Sequence, residues 1–358
     1  MKALPKLEQS IFGCLLGGAL GDAVGLASEG LSRRRLEKIF GKVDSYHFFF
    51  GRGMASDDTE HALMTAQALI GSGGDVDEFR RLLAWKLRFW LLGLPAGIGL
   101  ATLRSLIKLW FGVRKSGVFS AGNGPAMRSA ILGVCYGGDE KHLERLVRVS
   151  TELTHTDPKA FAGACAISIA AHLASRHQAE ELLGERLLER LASQPHFATE
   201  HAELLGLLKA AIESAKAGQE TAQFADAIGL KQGVSGYMYH TVPVALQAWL
   251  RYPGNFRAAV EAVIACGGDT DSTAAIVGGV VGAGVGVDSF PAGWLAGYME
   301  YPRSRNWILQ VSERLATSVA DGRPAKMLAL SIPAVLMRNI FFLCVVLAHG
   351  LRRLLPPY

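Results

Sequence analysis

Apolar residues recur every three or four positions through most of the 358-residue chain. That period marks helices buried along one face. DDTEHALMTAQALI (57–70) and VDEFRRLLAWKLRFWLLGL (76–94) show it. It returns in KAFAGACAISIAAHLAS (159–175), ELLGERLLERLAS (181–193) and HAELLGLLKAAIESAKA (201–217). TVPVALQAWLRY (241–252) and FRAAVEAVIACGG (256–268) continue the series. Near the start, SIFGCLLGGALGDAVGLA (10–27) mixes small and apolar residues at a spacing suited to close helix packing. Alternating strand patterns are scarce. VDSYHFFFGRG (43–53) is the best strand candidate and reads equally as an irregular loop. The pattern predicts a compact all-α domain over residues 1–326, followed by an apolar helical extension over 327–358.

That extension, MLALSIPAVLMRNIFFLCVVLAHGLRRLLPPY, is interrupted by Pro333, Arg338 and Asn339. Its clean run, IFFLCVVLA, falls far short of the roughly 20 residues a spanning helix needs. A buried or docking helix is the expectation. A weak membrane-surface or oligomer contact is the competing reading, helped by Arg352 and Arg353.

Half the residues are hydrophobic and 19% are charged, as in a folded chain. The net charge of +5 comes from scattered Lys and Arg. With no basic run interleaved with aromatics, it gives no direct nucleic-acid signal, yet it would not repel an anionic small molecule. Cys14, Cys135, Cys165, Cys266 and Cys344 stand singly in apolar contexts. They predict reduced, buried thiols and a cytoplasmic setting. MKALPKLEQS at the N-terminus lacks the apolar core of a signal peptide.

Candidate chemistry gathers in four stretches. GGDTDSTAAIVGG (267–279) sets five side-chain oxygens, on Asp269, Thr270, Asp271, Ser272 and Thr273, against an apolar segment. A helix cap needs one of them. In an extended segment Asp269 and Asp271 point the same way. Two carboxylates with a hydroxyl suit a hard divalent cation, and anions left uncompensated beside apolar chain are costly. GMASDDTEHAL (53–63) places Ser56, Asp57, Asp58 and Thr59 at a helix start, where alone they read as a cap with an acidic first turn. Together the two stretches meet the needs of a two-metal site. In SAGNGPAMRSAILG (120–133), the Gly122-Asn123-Gly124 turn offers backbone N–H groups as a phosphate cradle, or is simply a turn. Arg128 reads there as an anion contact or a surface pair. In THTDP (154–158), Asp157 before Pro158 marks a helix start, and His155 is a ligand contact or a core histidine.

These motifs, in this order and behind GALGDAVGLASE, resemble the ADP-ribosylglycohydrolase family, which includes the dinitrogenase reductase-activating glycohydrolases. The resemblance spans residues 10 to about 310. It implies a compact orthogonal helical bundle. It implies two Mg²⁺ or Mn²⁺ ions in a cleft, held by Ser56, Asp57 and Asp58 from one side and Asp269, Asp271 and Ser272 from the other. Asp271 could bridge the ions. Ser272 stands where the motif usually has Thr. Glu29 matches a cleft acid that gates the site or contacts the scissile bond. Gly122, Asn123, Gly124 and Met127 match a loop touching diphosphate and ribose, and His155 a substrate-contacting turn. The implied reaction is hydrolysis of an N- or O-glycosidic bond between ADP-ribose and a protein side chain or small molecule. Asp58 or Glu29 would relay protons. The rival readings are a catalytically silent ADP-ribose-binding or structural member, a hydrolase of another nucleotide-sugar, and a membrane-docked regulator. One departure stands out. Arginine-specific members often carry Asp-Ile-Gly-x-x-Thr, and GIGLAT (97–102) has Gly97 in place of that Asp.

Overall fold

The computed structural model describes residues 6–176 and 180–354. Residues 1–5, part of the N-terminal stretch that lacks a signal-peptide core, lie outside this range, as do 355–358 of the apolar extension. Every helix predicted by the apolar period is present, and the described residues contain helices, turns and isolated bridges but no strand. The fold is all-α. VDSYHFFFGRG is an irregular loop with a single Phe49–Arg52 bridge.

Two helices that lack a polar face form the centre, Lys6–Gly25 and Thr270–Val285. They run antiparallel, and glycines set their distance. Gly13, Gly17, Gly21 and Gly25 recur every fourth residue and so share one stripe. A methyl group at Gly21 would lie 2.1 Å from the Ala274 carbonyl oxygen, and one at Gly25 would lie 2.4 Å from that of Thr270. On the facing helix, methyls at Gly278 and Gly282 would lie 2.4 and 2.3 Å from the carbonyl oxygens of Gly17 and Gly13. Backbone therefore touches backbone along the whole stripe. The apolar sides left over face other helices, and both elements are buried nearly all round.

The C-terminal segment docks as a helix, as expected, but without the breaks its sequence suggests. A single helix, Ile332–Arg352, continues through Arg338 and Asn339, with Pro333 in its first turn. Pro is tolerated there because the first helical N–H groups have no intrahelical partner. The interruptions seen in the sequence thus do not break the helix. It is long and apolar enough to cross a membrane by length and composition. It docks on the body, yet only Asn339, Phe342 and Val345 are fully buried. The cysteines also depart in part from expectation. All five are free thiols, but Cys344 on this helix is exposed and Cys135 is half-buried.

The glycine stripe makes a direct prediction. Gly21→Ala should cost about 1–3 kcal/mol through overpacking. Gly18→Ala, whose methyl would sit 3.4 Å from the nearest atom, Ala275 O, should leave stability unchanged or slightly raised. Thermal unfolding separates the two, and equal melting temperatures would contradict the backbone contact.

Candidate active site

The stripe delivers its chemistry at one end. Asp22 follows Gly21 and is fully buried in the apolar second half of its helix. Its carboxylate accepts from Ser56 N at 2.8 and 2.9 Å, from Thr59 N at 3.1 Å and from Thr59 Oγ1 at 2.5 Å. Those donors open the helix Asp57–Ser72, whose first N–H groups have no partner within the helix. Asp22 caps that helix from outside, while Ser56 Oγ caps it from within by accepting from Asp58 N.

The five oxygens of residues 269–273 divide their work. Thr270 Oγ1 donates to Gly25 O at 2.8 Å, and Thr273 Oγ1 to Asp269 O at 2.6 Å, so both hold structure. Ser272 Oγ donates to Asp58 Oδ2 at 3.0 Å, and Ser56 Oγ to the same oxygen at 3.2 Å. Asp269 Oδ2 accepts from Asn123 Nδ2 at 2.7 Å. Asp58 Oδ1 and Asp271 Oδ1 are buried without a hydrogen-bond partner. Carboxylate oxygens of Asp22, Asp58 and Asp271 lie within 4.8 Å of one another. The extended geometry inferred for Asp269 and Asp271 is not the one found. The helix begins at Thr270, so Asp269 is its N-cap and Asp271 sits in its first turn. The glycines ahead do need freedom: Gly267 and Gly268 have φ of +70° and +86°.

Burial raises the pKa of every acid here for which a shift is resolved, and neighbouring anions add to it. Burial pushes Asp22 up to about 7 even though its hydrogen bonds oppose the shift. Burial and then Asp22, Asp57 and Asp269 raise Asp58. Burial and then Glu29, Asp269 and Asp58 raise Asp271. Asp57 is raised by burial, then by Asp22, Glu60 and Glu29. Glu29 is exposed as a residue, yet its carboxyl rises through desolvation and Asp269, with Arg353 opposing. Such a set repels itself and has lone pairs to offer, which is the electrostatic signature of a cation site.

The loop at 122–124 joins this centre through one residue. Asn123 holds Asp269, and its own N–H donates to Gly236 O at 2.9 Å. That amide is therefore spent, and so is the Gly122 N–H, which donates to Ser120 Oγ at 3.3 Å. The phosphate cradle expected of these amides is thus reduced. His155 packs under the loop, its ring 3.1–3.2 Å from where methyls on Gly122 and Gly124 would sit. Burial and the Arg128 guanidinium hold it down at about 3, so it is neutral at pH 7. It borders a cavity of about 320 Å³ lined also by Arg148, Asp157, Phe161 and His201. Met127 is buried behind Asp58, in the wall of a small interior cavity the two share with Thr59. Arg128 is neither a surface residue nor an anion contact. Fully buried, it donates to Ser150, Thr154 and Gly124 O and meets His61 Nδ1. Asp157 is the N-cap of the helix Pro158–Ser175, as its sequence suggests. Gly97 has φ of +83°, and a methyl there would lie 3.9 Å from Asp57 Oδ1. Asp22 is the residue that motif reading passed over. Its signal was a buried carboxylate in the apolar, glycine-rich half of a long helix.

This geometry accords with three comparisons. A profile of the ADP-ribosylglycohydrolase family matches residues 3–325. The chain is 26% identical over 301 residues to an ADP-ribosyl-[dinitrogen reductase] glycohydrolase of Rhodospirillum rubrum, covering 82% of this chain and 91% of the relative. It is 28% identical over 321 residues to the ADP-ribosylhydrolase ARH3 of Bos taurus, covering 79% and 86%. A solved structure described as an ADP-ribosylglycohydrolase-related protein complex shares the fold, with a TM-score of 0.66 and 24% identity over 88% of this chain and all of the other. With a match running through both acidic motifs and nearly the whole described body, the chain belongs to the ADP-ribosylglycohydrolase family.

Proposed function

We propose that this protein is a divalent-metal hydrolase that cleaves the glycosidic bond between ADP-ribose and an acceptor. The observation that carries the reading is the pair of buried, unpartnered oxygens, Asp58 Oδ1 and Asp271 Oδ1, in a cluster of raised carboxylates. Two Mg²⁺ or Mn²⁺ ions fit this donor set. Ser56, Asp57 and Asp58 would hold them from one helix start, and Asp269, Asp271 and Ser272 from the other. Asp22 has an oxygen within 4.8 Å of those of Asp58 and Asp271, but its carboxylate already accepts from Ser56 N, Thr59 N and Thr59 Oγ1, so it positions Ser56 and Thr59. Bound metal would supply Lewis-acid polarisation of ribose oxygens and a more acidic water. The chain supplies the rest. Asn123 fixes the rotamer of Asp269. Glu29, at the solvent edge with a raised pKa, can take up and return a proton. Asp58 is its alternative in that role. Neutral His155 supports the 122–124 loop without placing positive charge under it.

The absent carboxylate at Gly97 leaves the acceptor open, so the test is a panel of ADP-ribose linkages to arginine, serine and a nucleobase, with Mg²⁺ and with Mn²⁺. Turnover of at least one linkage is expected. Retained cation binding with no turnover on any of them would favour the silent-binder reading. Asp271→Ala should abolish turnover and weaken cation affinity measured by calorimetry. Full activity in that variant would overturn the metal assignment.

His155 sets a pH dependence. Unfolded, it takes a proton near 6.5; folded, it refuses one until about 3. Between these values the unfolded state binds more protons, so this group lowers stability as pH falls from 6.5 toward 3. His155→Gln should flatten that part of the stability–pH curve relative to wild type, read by denaturant unfolding. Superimposable slopes would show that the ring is not held neutral.

A further inference from the structure

The helix Ile332–Arg352 has inverted polarity. Arg338, Asn339 and His349 turn toward the protein, where Arg338 pairs with Glu300 and donates to Ala55 O, Asn339 donates to Gly93 O at 2.6 Å, and His349 meets Phe48 O. On the opposite side, Met337, Ile340, Cys344, Leu347 and Leu351 follow one another at helical spacing and form an unbroken apolar stripe. Ile340, Leu347 and Leu351 are 55%, 57% and 67% exposed. A surface helix in water shows the reverse order, apolar inward and polar outward. Beside the stripe, Phe341 meets Phe49, which meets Phe50, and Phe50 is 93% exposed. Next to Gly93, the helices Val76–Leu92 and Leu100–Trp110 expose a second apolar group, Trp85, Phe89 and Trp110 in ring contact, with Arg88 over the two Trp rings.

Long stretches of sequence around both groups carry basic but no acidic side chains. Residues 322–358 hold five basic side chains and no acidic one, and residues 79–138 hold nine basic and none acidic. Arg128 and Arg338 among these turn inward, while exposed ones such as Arg80, Arg104 and Arg352 lie in the same segments as the exposed aromatics. We infer that this face seats on an anionic lipid bilayer, with the C-terminal helix lying in the membrane plane and its apolar stripe among the acyl chains. Its inward polar anchors fix it along the body, so it lies on the membrane rather than crossing it. Exposed Trp and Phe suit the interface, and Lys and Arg suit anionic headgroups. A second copy of the chain fits less well, because a self-complementary contact would bring exposed basic side chains of the two copies together.

The test is co-sedimentation of the full chain with vesicles of phosphatidylcholine alone and of phosphatidylcholine with phosphatidylglycerol. Binding should be strong to the anionic vesicles, weaker to the neutral ones, and reduced by salt. Ile340→Glu with Leu347→Glu should lower the bound fraction roughly tenfold or more. Its melting temperature should stay near wild type, since both residues are exposed; Leu347→Glu alone serves as a milder second variant. Wild type remaining in the supernatant with both vesicles would overturn the inference. So would a wild-type dimer that ignores vesicles and that the double variant splits, because a second copy would then cover the stripe. The readout is binding, so it stands or falls apart from the hydrolase reading.

Discussion

Backbone-to-backbone contact between the helices Lys6–Gly25 and Thr270–Val285 sets everything else. At ordinary helix spacing, side chains would separate Asp22 from Asp271. With no side chain at Gly21 and Gly25, the start of the second helix comes so close that a methyl on Gly25 would lie 2.8 Å from Asp271 Cα. Thr270 then closes the joint by donating to Gly25 O. Close packing of residues without chemistry is what brings together the residues with it. It also buries them, and burial is the leading cause of their raised pKa values.

An anion cluster of this kind is unfavourable by itself. Hydrogen bonds relieve part of it: four converge on Asp22, two on Asp58 Oδ2 and one on Asp269. The relief is uneven, and that unevenness is informative. Asp22 takes its four from three donors, all at the start of the Asp57 helix, and so serves the scaffold. Asp58 and Asp271 each keep an oxygen that nothing in the chain satisfies. Other buried polar atoms also lack partners, but here two carboxylate oxygens do so within one cluster, which suits a cation.

Much of this was legible in the sequence. Helix positions follow from a period of apolar residues that any buried helix must show, and the paired oxygen clusters at 56–59 and 269–273 follow from too many ligands for one cap. What was not legible depended on contacts between distant residues. Asp22 reads as one acid in a greasy helix until Ser56 and Thr59 are seen to point at it. Arg128 reads as a surface cation until Ser150 and Thr154 are seen to enclose it. The C-terminal docking helix was legible, but not its unbroken length, because Arg338 and Asn339 count as interruptions in a linear hydropathy reading. On a cylinder they fall on the docked side and leave the other side wholly apolar.

That docked side links the extension to the site. Ser56 follows Ala55, whose N–H donates to Glu300 Oε1 at 2.8 Å and whose carbonyl accepts from Arg338. The segment leading into the Asp57 helix is thus gripped from inside by Asp22 and from outside by the Glu300–Arg338 pair. Further along, Arg353 donates to Ala27 O at 3.1 Å and its charge opposes the raised pKa of Glu29. A buried ion pair is a weak source of net stability but is strongly destabilising when half of it is removed. Its effect here is to fix position: Ser56 and Asp57 cannot shift without disturbing either Asp22 or Arg338. A helix outside the family match therefore shares in holding the candidate metal ligands, and whatever covers its apolar stripe acts on a segment that touches both Ala55 and Ala27.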